Sequence, residues 1–74
     1  MKFFVYLTVR QPGPRSAGEP VRRCIEVLPY RAFIQELSGI GDTIFRRPLG
    51  EIEARDWDEA ERLAEASFAH VLSS

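Results

Sequence analysis

Few side chains in this sequence can make or break bonds. Cys24 is the only cysteine and His70 the only histidine. Nucleophilic catalysis needs a nucleophile, a base and an orienting group within reach of one another. These two residues are therefore the sole Cys–His combination on offer. The alternation around Cys24 places it inside a strand, where a small buried hydrophobe is the ordinary role. His70 falls near the end of a helical stretch, where it answers the helix dipole. A metal site would have to complete its ligand set with carboxylates. Glu51, Glu53, Asp56, Asp58 and Glu59 lie close together, and Glu51 and Glu53 share one face of a strand. A helix cap and a solvated strand face account for all five. Gly39-x-Gly41 lacks the helix and lysine of a phosphate loop. The expectation is a protein without catalytic, metal or cofactor chemistry.

Charge is the remaining resource. Nine arginines accompany one lysine, and guanidinium groups suit bidentate pairing with carboxylates or phosphates at interfaces. The pairs Arg22-Arg23 and Arg46-Arg47 stand out, with Arg10, Arg15 and Arg31. Residues 1–50 carry eight basic against four acidic groups; residues 51–74 carry two against seven. Such polarity can steer a charged partner, or the two halves can pair with each other. Arg15, Arg22, Arg46 and Arg47 are candidate partner-binding residues on the basic side. Glu59, Glu61 and Glu65 are the candidates on the acidic side. If Arg10, Arg22 and Arg46 share a sheet face with Phe4 and Tyr6, single-stranded nucleic acid could stack there.

These residues need elements to position them. Phe3, Val5, Leu7 and Val9 alternate with Phe4, Tyr6 and Thr8, the period of a strand. Apolar residues on both faces predict a central strand. Gln11 to Pro20, rich in proline and glycine, reads as a mobile loop. Val21 to Leu28 alternates again, and antiparallel pairing with the first strand is the economical arrangement. Pro29 suits the start of a helix. Tyr30, Phe33, Ile34 and Leu37 then recur at helical spacing, and Gly39 supplies a left-handed stop. Thr43 to Ala54 reads as strand, either bulged or folded into a hairpin at Pro48-Leu49-Gly50.

The final helix has the strongest signature. Asp56 is an N-cap and Glu59 completes a capping box. Trp57, Ala60, Leu63, Ala64, Phe68, Val71 and Leu72 form its apolar stripe. The run Gly50 to Ala64 resembles the strand-to-helix junction of many small α+β domains, a likeness of capping physics that carries no functional residues. The predicted order is β-β-α-β-α: an α+β fold with an antiparallel sheet of three or four strands. The C-terminal helix packs on one face, and a short second helix lies at an edge or on the other.

At 74 residues the chain is one domain, residues 1–74, that hides only about 60% of its unfolded surface. A partner, or pairing into a homodimer, would offset so thin a core. A single cysteine excludes an internal disulfide and suits a reducing compartment. No stretch approaches the ~20 apolar residues of a membrane span, so the expected location is the cytoplasm. The expected function is a non-catalytic protein-binding module: a small inhibitor, adaptor or accessory subunit. Mobile elements encode many lone domains of this size, anti-CRISPR inhibitors among them. The alternative is a single-stranded nucleic-acid-binding domain.

Overall fold

A computed structural model describes residues 1–73. Strand β1 is Lys2–Gln11, β2 is Arg22–Leu28, β3 is Gln35–Leu37 and β4 is Thr43–Glu53. Helix α1 is Trp57–Phe68, and single 3₁₀ turns lie at Pro14–Ser16 and Ala69–Leu72. The strands form one antiparallel sheet in the order β2-β1-β4-β3. This is the expected α+β class, with β1 central as its two apolar faces require. Among the described residues no helix is long and apolar enough to cross a membrane.

Helix α1 covers one face of the sheet. Phe3 and Val5 are fully buried there with Val27, Ala54, Ala60 and Ala64. The two helix alanines let α1 lie close to the strands. Asp56 caps the helix, its Oδ1 accepting from the Glu59 N–H at 2.8 Å. The reciprocal half of the box shifts by one residue, because the Glu59 carboxylate accepts from the Arg55 N–H instead. At the far end Phe68 packs over Gly50, where a Cβ would come within 3.2 Å of the ring.

Segment 43–53 is one bulged strand, not a hairpin. Val5 pairs with Gly50 and Tyr6 with Pro48, so Leu49 is the extra residue. The Arg46 N–H donates to the Ile34 carbonyl on the β3 side. Two residues on, Pro48 faces that same side, past the end of β3. Its missing N–H therefore breaks no ladder bond.

The short helix expected over 30–37 is not formed. Residues 29–34 run without regular structure and lead into β3. Helical spacing of the apolar residues loses here to partners distant in sequence. The Arg46 guanidinium holds the Phe33 carbonyl and the Glu36 carboxylate together, and the β4 edge gains a neighbour. A helix of eight residues has too little intrinsic stability to compete. The left-handed glycine of the following turn is Gly41, with φ of 87°, rather than Gly39.

The 11–20 loop is tied down near its start. The Gly13 N–H donates to Asp42 Oδ1 at 2.9 Å, and Arg10 Nε donates to Oδ2 at 2.9 Å. Only glycine fits at position 13, since a Cβ there would collide with the Gly41 carbonyl.

Candidate functional site

The face opposite α1 carries Phe4, Tyr6, Thr8 and Arg10 from β1, with Arg22, Cys24 and Glu26 from β2 across from them. Ile44, Arg46 and Glu51 join from β4. Arg10, Arg22 and Arg46 thus do share a face with Phe4 and Tyr6. That face is divided in two. Residues 29–34 close its aromatic half: Tyr6 is buried with its hydroxyl accepting from the Ala32 N–H, and Arg31 lies 5.1 Å over the Phe4 ring. The aromatic rings are thereby engaged within the chain rather than laid open for bases.

The other half is a concavity of about 550 Å³ lined by Thr8, Arg10, Arg22, Cys24, Glu26, Ile44 and Arg46 among others. Arg46 and Thr8 are its buried members, and Arg46 is the one that carries charge. Nε donates to Glu26 Oε1 at 2.6 Å, Nη1 donates to the Phe33 carbonyl at 3.0 Å, and Glu36 completes the set. The Thr8 hydroxyl donates to the same Glu26 oxygen. The bond that Arg46 donates to Glu26, above all, holds its proton more firmly than usual. Arg46 is therefore committed to binding the 33–36 segment to the sheet.

Cys24 is exposed in this concavity, not buried as its strand position suggests. The reason is that β2 is an edge strand and residues 29–34 cover only the other half of the face. Partial burial, and then the nearby Glu26 carboxylate, push its thiol up; Arg46 offsets part of this. His70 lies in the 3₁₀ turn after α1, on the side of the sheet away from Cys24. The carboxylates Glu51 and Glu53 pair with Lys2, Arg31 and the N-terminal ammonium. These three contacts join the basic half of the chain to the acidic half. Among the described residues no three His, Cys, Asp or Glu side chains converge as ligands for a metal ion.

The other charged candidates are dispersed. Arg22 sits exposed across from Arg10 at the end of β2. The Arg55 N–H, and then the Arg55 guanidinium paired with it, hold the Glu59 carboxyl below the usual range. Glu61 and Glu65 line a shallow groove with Ile25, Val27 and Trp57 beside the β2 edge. Arg15 shares a concavity of about 390 Å³ with Leu37 and Ile40. Arg47 is exposed on β4, on the same face as Gln35 and Leu37.

Arg15 and Arg47 flank the edge of β3, a strand that the helical spacing of residues 30–37 does not announce. The Ser38 N–H donates to the Asp42 carbonyl, and the Ile34 carbonyl accepts from Arg46. Even-numbered positions thus direct their backbone groups toward β4. In an antiparallel ladder the odd-numbered ones, Gln35 and Leu37, must direct theirs outward. Among the described residues no strand lies beyond them. Large apolar side chains crowd the same segment. Phe33 is 77% exposed and Leu37 73%, and Tyr30, Ile34 and Ile40 are exposed as well. These are largely the residues whose spacing suggests a buried helical stripe. The signal that could have found them is β-branched and aromatic content beside a strand edge. Comparisons with protein-family models, curated proteins and solved structures found no match to this chain.

Proposed function

We propose that the chain is a stoichiometric protein-binding module that docks a partner protein along the β3 edge. The supporting observation is the exposure of Phe33 and Leu37 beside the outward backbone groups of Gln35 and Leu37. Soluble domains ordinarily blunt a sheet edge by keeping it short or by charge, proline or a covering element; β3 is short, at 3 residues, yet exposed apolar side chains stand on and beside it. Apolar side chains grouped in this way mark interaction surfaces. Inhibitors, adaptors and accessory subunits all act by covering a partner's surface, and none of them needs a reactive group. An inhibitor carried by a mobile element is one such use.

Affinity capture of the tagged protein from its native host tests this reading. The wild type should retain one protein partner in near-stoichiometric amount, identified by mass spectrometry. Phe33→Asp with Leu37→Asp should lose that partner while its circular dichroism stays unchanged. A partner retained by the folded double variant, or no stable partner at all, would sink the proposal.

A further inference from the structure

We infer that the segment docking on β3 is an extended stretch of a partner protein, with apolar side chains on one face and acidic residues at both ends. This rests on the docking reading above and adds the chemistry of the occupant. The backbone part follows from geometry: Gln35 and Leu37 direct their N–H and C=O groups outward, which an added strand satisfies by β-augmentation. The apolar part follows from Leu37, which stands on the sheet face of Arg47 and is highly exposed.

The charge follows from what lies at each end. Arg15 lines the concavity beyond Leu37. Arg47 lies one residue past the Ile34–Arg46 backbone bond that closes the other end of the ladder. Both are exposed, and neither makes an ion pair among the described residues. Two guanidinium groups bracketing an apolar edge complement carboxylates bracketing an apolar strand.

A second copy of this chain fits less well. A two-fold axis at Glu36 would satisfy the outward groups of both copies. It would also bring Arg15 of each copy toward Arg47 of its mate, two cations without ion-pair partners among the described residues, whereas the Glu36 residues meeting at the axis are each already paired with Arg46. Like charges directly opposite are destabilising.

The test uses two blocked Thr-Val repeat peptides, one flanked by aspartates and one by lysines, titrated against the full chain at low salt. Fluorescence anisotropy should show the aspartate-flanked peptide binding at least about tenfold more tightly, with the Gln35 and Leu37 amide resonances shifting. Arg15→Glu with Arg47→Glu should invert the preference. Gln35→Pro removes one outward N–H and leaves the β3–β4 bonds intact, so it should weaken binding with the fold preserved. Equal binding of both peptides, or of neither, overturns the inference. So does a dimer in sedimentation that Leu37→Asp abolishes. If peptides show no preference yet native capture still depends on Phe33 and Leu37, only the acid-flanked occupant is lost. If capture is independent of them too, the docking reading falls with it.

Discussion

The indole Nε1 of Trp57 donates to the backbone carbonyl of Val27 across 2.7 Å. Val27 lies on β2, an outer strand, and this carbonyl faces away from the sheet. Trp57 therefore covers the β2 edge at one end, while the Arg23 side chain reaches the Val71 carbonyl near the other. The same ring packs at 6.4 Å from Phe3 in the core. Trp57→Phe keeps most of the packing and removes the donor. It should cost about 1–2 kcal/mol in urea unfolding followed by circular dichroism. It should also raise concentration-dependent association, measured by light scattering, because a sheet edge has been uncovered. An unchanged midpoint would mean that the bond adds nothing beyond the ring.

Arg46→Met leaves Glu26 and Glu36 without their shared cation and frees the Phe33 carbonyl. Breaking a buried pair by removing one partner costs several kcal/mol. Both carboxylates here retain some contact with water, so a loss of about 2–3 kcal/mol is expected. Arg46→Lys should rescue little, since a point charge cannot reach three acceptors as a planar fork does. Hydrogen exchange should show the amides of 34–38 opening first in either variant. Full rescue by lysine would show that charge alone matters.

Asp42 gives the fold an acid-sensitive joint. The Gly13 N–H, then the Arg10 side chain, hold its carboxyl below the usual carboxylate range. A carboxyl with a depressed folded-state value stabilises the fold above its unfolded value, about 3.9. That contribution is lost as pH falls through the lower folded value. Asp42→Asn should thus be less stable than wild type at neutral pH, and the two stability curves should converge in strong acid. Thermal melts across pH 2–7 (a range of about five units) check this. Parallel curves would assign the acid response elsewhere.

Gly13→Ala probes the same joint sterically. The added methyl group meets the Gly41 carbonyl, so the loop must move away from Asp42. Overpacking of this kind costs about 1–3 kcal/mol. Gly18→Ala is a poor control because its φ of 96° is itself strained for a side chain. Gly39→Ala is the appropriate one, with open space around it and a near-neutral melt expected.

What the sequence discloses is what local chemistry decides. The alternation from Phe3 to Val9 fixes β1 as a strand covered on both faces, and Asp56 with Glu59 marks the start of α1. The 30–37 segment is different, because its fate depends on Arg46 and on the β4 edge rather than on its own spacing. Arg46 itself, read as half of a surface pair, is drawn inward by three acceptors that no local pattern announces. The same holds at Pro48, acceptable in a strand only because β3 stops short of it. Arg15 and Arg47 stand out by residue type alone. Their place around an exposed edge follows only once that edge is known to be a strand.

Cys24 offers a last prediction, on reactivity. Burial, and then the Glu26 carboxylate, raise its thiol above the ordinary thiol value. Only the thiolate attacks an electrophile, so at neutral pH this exposed sulfur should react more slowly than its accessibility suggests. Iodoacetamide alkylation of the folded chain, followed by intact mass, should be slower than that of a small free thiol. Its rate should still be climbing where the free thiol has levelled off. In unfolding urea both causes vanish and the rates should converge. A folded-state rate matching the free thiol at neutral pH would mean that the Arg46 guanidinium outweighs burial and Glu26 at that sulfur.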